Sequence, residues 1–178
     1  GAGEFFKSLS KKSPNEVLPL LFHAKVARLS GKDETYEDAI ESAIALVQED
    51  TPFTVAHELA EEAFRGQRFD DTVALLKGRV ATDHENEPLS LCIAAAMNGD
   101  LHKTASELLA LVPDEVANER WYRRVKIALE NKIGSNRALP MLNAFLADYP
   151  NDAEMRTARI GLWQTSGQTG KIKKDVEN

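Results

Sequence analysis

The stretch Gly134-Ser-Asn-Arg-Ala-Leu-Pro-Met-Leu-Asn-Ala-Phe-Leu-Ala-Asp-Tyr-Pro150 decides the fold, because its small and large apolar residues recur upstream at a fixed interval. Small or short residues stand at Ala39, Thr72, Ala105 and Ala138, each 33 residues after the last. Four residues beyond each come Ala43, Leu76, Leu109 and Leu142. A second set of markers agrees: Gly31, Gly66, Gly99, Gly134 and Gly167 are separated by 35, 33, 35 and 33 residues, each at the end of an apolar-periodic run. A self-similarity of this length is the signature of stacked helical hairpins, each of which needs a neighbour to bury its apolar face.

Working outward along the chain, cap and stop signals divide it into helices. Ser13-Pro14 opens a run over 17–29 that Gly31 stops, with Pro19 close enough to the first turn to be tolerated. Thr35 is the expected cap of a helix over 36–49, and Thr51-Pro52 opens 53–65. The partner helix spans 69–80, a polar connection 81–87 follows, and a third hairpin runs from near Pro88 to Gly99 and back over 101–111, with Asp100 as its cap. Pro113 ends that helix; Asp114 is expected to cap the longest run, to Lys132, and Ser135 the next, to Asp148. Asp152 opens the last, 153–165, and the tail 171–178 offers only Ile172 and Val176 to bury. No segment alternates apolar and polar residues as a strand would. The class is all-α: a right-handed α-solenoid of about four to five antiparallel hairpins.

The second helix of each unit, with Ala, large apolar residues four and seven places on and Pro twelve places on, resembles the tetratricopeptide repeat family. Ala138, Leu142, Phe145 and Pro150 match that spacing in full; Ala39, Ala43 and Leu46 match it with Thr51 in the place of the proline. The middle units are degenerate, since Thr72 replaces alanine, Arg79 takes the next large apolar place and Pro113 comes early. The resemblance covers about residues 14–167 and implies a protein-binding scaffold whose first helices line a groove.

Composition narrows the function by exclusion. Of 178 residues 43% are hydrophobic, enough for a sizeable core, and 22 basic against 28 acidic side chains leave a net charge of −6. That balance disfavours nucleic acid and anionic membrane surfaces as partners. No apolar run nears the length of a membrane span, which points to a soluble, cytoplasmic protein. Gly1-Ala-Gly-Glu-Phe5 reads as a cloning scar, leaving 6–178 as a single repeat domain trimmed from a longer protein. The single Cys92, among Leu91, Ile93 and Ala94, packs as a small hydrophobe. His23, His57, His84 and His102 lack the spacing of a metal site, no glycine-rich phosphate loop is present, and no catalytic, cofactor or metal site is expected. Gly66, Gly99 and Gly134 are read as left-handed helix caps, and Glu58, Glu61 and Glu62 as a solvated helix face.

Two surfaces stand out for binding. Arg120, Arg123, Arg124 and Lys126, interleaved with Trp121 and Tyr122, form the basic-aromatic cluster of the chain, suited to an acidic or aromatic partner segment. Next come His57, Glu61 and Phe64, on the groove-lining side of an earlier first helix, and Arg120, Arg123 and Ile127 are placed on the same side of theirs. Family members that grip a chaperone C-terminus use Lys and Asn at the places where this chain has His57, Glu61, Ser90, Ala94, Arg123 and Ile127, so that ligand is not expected. The first reading is a non-enzymatic scaffold for a protein or peptide. Its rival is a regulatory or substrate-presenting domain of an enzyme whose catalytic part lies outside this chain. Leu162-Trp163 near the end, with little after it, leads to an expectation of self-association through that end or of a covering element.

Overall fold

The computed structural model describes residues 2–13, 16–83, 86–168 and 170–172. Among these residues the secondary structure is α-helical, and the helices fall into two compact units. The first unit, Gly1–Leu111, holds α1 (Ala2–Lys12), α2 (Val17–Leu29), α3 (Asp33–Ala45), α4 (Phe53–Arg65), α5 (Phe69–Asp83), α6 (Asn86–Asn98) and α7 (His102–Leu109). The second, Val112–Asn178, holds α8 (Arg120–Lys132), α9 (Ala138–Asp148) and α10 (Ala153–Thr165). The hairpins are α2 with α3, α4 with α5, α6 with α7 and α8 with α9, and α10 packs on α9.

The repeated small residues sit where two helices must approach closely. Ala39 and Thr72 are 4% and 0% exposed, Ala105 and Ala138 0% and 1%. Thr72 keeps its hydroxyl satisfied by donating to the Arg68 and Ala60 carbonyls, so it costs little where alanine is the norm. Ala43, Leu76, Leu109 and Leu142, one turn on, are all buried. Arg79, at the apolar place of the second unit, donates to the carbonyls of Thr51 and Gln48 at 2.7 and 2.8 Å and so ties down the loop before α4. Leu142, Phe145 and Leu146 of α9 join Ile127 and Met155 in the core of the second unit.

Five first helices end in the same way. A residue in the left-handed region is followed by an N–H that reaches back five residues: Lys32 to Ala27, Arg68 to Ala63, Leu101 to Ala96, Ser135 to Glu130 and Gln168 to Trp163, at 2.8–3.0 Å. This closes the orphan carbonyls of the last turn. The left-handed residue is Gly31, Gly134 or Gly167 in three cases, but Gln67 (φ 62°) and Asp100 (φ 57°) in the other two. Gly99 therefore is not a left-handed cap, and neither is Gly66 (φ −84°). Its hydrogen is required for room: a Cβ there would lie 1.8 Å from the Tyr36 hydroxyl, and one at Gly99 3.0 Å from the Phe69 Cβ.

Several starts differ from the cap signals. Thr35 lies inside α3, which opens at Asp33 directly after the Gly31 turn, with acidic residues in its first turn to favour the dipole. Asp100 is the left-handed residue before α7 rather than its cap, and Leu101 holds the cap position. The run expected from Asp114 begins only at Arg120: residues 114–119 turn back on the carbonyls of Pro113, Asp114 and Val116. Ser135 accepts from the Arg137 N–H at 3.2 Å, ahead of α9. Asp152 does cap α10, accepting from the Met155 N–H at 3.1 Å. Of the polar connection 81–87, 81–83 and 86–87 are helical, and His84 lies outside the described residues, as do Pro14 and 173–178.

Charged pairs bridge neighbouring repeats at about one period: Lys25 to Glu58, Arg28 to Glu62, Arg68 to Glu37, Lys77 to Glu107 and Arg120 to Asp152, with sequence separations of 33, 34, 31, 30 and 32. Glu62 corrects the solvated reading of its helix face, for it is fully buried. Arg28 holds it through Nε and Nη2 at 2.6 and 3.2 Å, and its carbonyl accepts from the Tyr36 hydroxyl at 3.2 Å. Nor is Trp163 an exposed end: it is 7% exposed with the Arg159 guanidinium 4.9 Å from its ring centroid, and Leu162 packs on the core of the second unit. Of the two residues behind the expectation of self-association, Trp163 is thus buried within the single chain and Leu162 is half-buried.

Candidate functional site

Trp121 lies in the first turn of α8, half-buried, with open depressions on two sides. One, of about 560 Å³, is lined by Glu119, Arg120, Trp121, Arg124 and Tyr149. The other, of about 330 Å³, lies between α8 and α10 and is lined by Trp121, Arg124, Val125, Ala128, Glu154 and Met155. Trp121 meets the ring of buried Tyr122 edge to face at 5.9 Å, and its indole N–H donates to Glu119 at 2.8 Å. These two contacts fix the orientation of the indole.

The arginines around it are anchored by acids from the following loop and helix. Asp152 is buried, and its Oδ2 receives Arg120 Nη2 at 2.8 Å and Nε at 3.2 Å, with Arg124 Nε 3.7 Å away. Burial alone would raise its pKa. The hydrogen bonds from Arg120 and the Met155 amide, with the charge of Arg124, outweigh it and hold the carboxyl below the usual range. Arg124 also pairs with Glu154, whose side chain is 70% exposed. Arg123 donates to Asp148 at 2.7 Å and spreads over the Phe145 and Tyr149 rings at 5.3 and 5.8 Å, so it roofs the core. Ile127, expected on the groove side, is 2% exposed and in that core. The open side of α8 is instead Trp121, Arg124, Val125 and Ala128, one step round the helix.

The other candidate residues fall in the first unit, on α4. His57 stacks on Phe53 with ring centroids 6.0 Å apart and planes at 6°, and its buried Nε2 has no hydrogen-bond partner among the described residues. Glu61 pairs with Arg65 at 3.0 Å, and Phe64 meets Phe69 edge to face at 5.5 Å. All three are half-buried. Glu154, Met155 and Tyr149 escaped sequence reasoning, because they join Trp121 only once α10 and the end of α9 lie beside α8, and Val125 and Ala128 were not read as part of the site. The spacing from Trp121 to Val125 and Ala128, four and seven residues, is the helical stripe that marks them.

Elsewhere, Cys92 is fully buried and its thiol is pushed up to about 11 by desolvation, which keeps it out of thiolate chemistry. Among the described residues no three His, Cys, Asp or Glu side chains are grouped to hold a metal ion, and no helix is long and apolar enough to cross a membrane.

No protein-family model and no curated protein sequence matches the chain. Among solved structures it is similar to a tetratricopeptide repeat protein from Parabacteroides merdae, with a TM-score of 0.67 at 16% identity, over 99% of this chain and 70% of that one. At such identity the likeness establishes the fold alone. The chain has the all-α, tetratricopeptide-repeat-like α-solenoid fold that its 33-residue spacing predicts.

Proposed function

We propose that the chain is a non-enzymatic scaffold that binds a partner protein or peptide, with the open side of α8 around Trp121 as its principal contact and the His57, Glu61 and Phe64 face of α4 as a second. The supporting observation is Trp121 itself. A half-buried indole, held by Glu119 and Tyr122 and bordered by two depressions with arginines at their rims, combines a large apolar surface with directional donors. Such anchors carry most of the energy at protein interfaces. Arg120 and Arg124 suit an acidic or aromatic segment, because a planar guanidinium matches a carboxylate in a fork and stacks on rings.

A photo-crosslinking residue at Ala128, compared with one at exposed Ser42 on α3, tests the placement in extracts of the source cells. The proposal expects a protein adduct from position 128 that Trp121→Ala abolishes while the helical circular dichroism is unchanged. Adducts from position 42 alone would refute it.

A further inference from the structure

A cavity of about 240 Å³ lies where α1, α2 and the start of α3 meet, lined by Glu4 and Lys7 of α1, His23 and Ser30 of α2, and Lys32 and Thr35 after the Gly31 turn. It is roomy enough for water to reach the half-buried imidazole of His23. Among the described residues, the charges that face this imidazole are Lys7 and Glu4 from α1 and Lys32 from the start of α3. Burial lowers its pKa most, Lys7 comes next, Glu4 opposes and Lys32 adds to the lowering. Against α2, α1 lays Phe6 on Phe22, with ring centroids 5.4 Å apart and planes at 24°. At 11 residues α1 is too short to be a stable helix by itself, so it is helical while it is docked.

We infer that the junction of α1 with α2 is an acid-sensitive latch, in which a proton on His23 releases α1 and opens the apolar face of α2. When α1 leaves, its lysine and its glutamate leave together and largely offset each other, while Lys32 stays. What remains is that the imidazole gains water, which favours its charged form. A proton therefore binds His23 more readily with α1 away. Linkage requires the converse: protonation weakens the docking of α1 by the same factor by which docking weakens the proton. Release separates Phe22 from Phe6 and adds its ring to a stripe of α2, spaced four and seven residues, whose other members are already open: Leu18 is 43% and Leu29 77% exposed. The latch is independent of the proposed binding role of α8.

Amide hydrogen exchange of the full chain tests this, measured at about pH 7.5 and about pH 5.5, on either side of an ordinary histidine, and expressed as protection factors so that the chemical pH dependence of exchange cancels. Protection of the α1 amides is expected to fall several-fold in acid, while that of α9 in the second unit holds. His23→Gln should make α1 equally protected at the two pH values. Glu4 and Lys7 are exposed, so their variants keep the fold and test the sign. Glu4→Gln removes the offsetting acid and should deepen the acid loss while lowering the imidazole pKa read by NMR. Lys7→Gln should make the loss shallower and raise that pKa. Equal α1 protection at the two pH values in the parent overturns the latch, as does an undiminished loss in His23→Gln. A Glu4→Gln and a Lys7→Gln that move the loss in the same direction overturn it too, since a merely structural role for α1 would do that.

Discussion

Gly66→Ala isolates the contact that locks the first two repeats together. At φ −84° the backbone there accepts any residue, so the substitution adds no conformational strain and a small helix-forming gain. Its whole penalty comes from Tyr36, whose Oη, Cζ and Cε1 would lie 1.8, 2.5 and 2.7 Å from the new methyl. Tyr36 is 5% exposed and cannot move aside without disturbing the core and its bond to the Glu62 carbonyl. Orphaning that buried pair costs about 1–3 kcal/mol, and the overpacking about another 1–3 kcal/mol. The sum, about 2–6 kcal/mol, corresponds at about 3 °C per kcal/mol to a fall of about 6–18 °C in melting midpoint for a chain of this size. A thermal melt measures it, and a double-mutant cycle with Tyr36→Ala tests the cause: in that background Gly66→Ala should be neutral. Absorbance titration gives a second readout. Burial first, then the charges of Glu62 and Glu37, push the Tyr36 hydroxyl up to about 12, and Gly66→Ala should bring it down toward the ordinary value near 10. A Gly66→Ala protein that melts with the parent, or is equally destabilised without Tyr36, would refute the steric reading.

Further outcomes follow from the same packing. Ala39→Leu and Ala138→Leu, each at a buried crossing, should lower stability by about 1–3 kcal/mol in denaturant titrations, and an unchanged midpoint in both would contradict the 33-residue register. Arg28→Ala leaves the carboxylate of Glu62 buried and should cost about 3–5 kcal/mol, whereas Lys25→Ala, facing half-exposed Glu58, should cost under about 1 kcal/mol. Arg120→Ala should lower the midpoint by several degrees instead of leaving it unchanged as a free surface arginine would, because Asp152 loses its closest cation; Arg120→Lys should recover part of the loss. His23 titrates below its ordinary 6.5 through burial first and then the charge of Lys7, with Lys32 adding to it against Glu4. The unfolded chain therefore binds its proton first, and stability should fall as pH drops through 6.5 toward the lowered value; His23→Gln should flatten that slope in melts taken across this range.

The repeat was legible because its markers are set by local geometry. Ala39, Ala105 and Ala138 are small where helices cross, and Gly31, Gly134 and Gly167 stand where φ is positive, each a requirement that acts on one residue at a time. What stayed hidden depends on partners one repeat away. Glu62 reads as a surface acid until α2 brings Arg28 beside it, 34 residues earlier in sequence. Gly66 reads as a cap until Tyr36 fills the space a methyl would take. At α8 composition marked the arginines and Trp121, but not the rotation of the helix: Ile127 lies in the core and Arg123 over the Phe145 and Tyr149 rings, while Trp121, Val125 and Ala128 line a depression. Helical periodicity alone does not decide which of two adjacent stripes a neighbouring helix covers. The start of α8 moved for a similar reason, since the turn after Pro113 satisfies its amides on carbonyls within the turn and competes with a helical continuation.

The most direct test of the α8 surface as a protein-binding site is calorimetric titration of the partner recovered by crosslinking at position 128 against the parent chain and Trp121→Ala. Trp121 is half-buried, so the variant is expected to keep its helical signal and a midpoint within a few degrees of the parent. The expected result is a loss of affinity of about thirty-fold or more, the effect of removing an interface anchor worth about 2 kcal/mol or more. Equal affinity for the two proteins would contradict the placement of the site on α8.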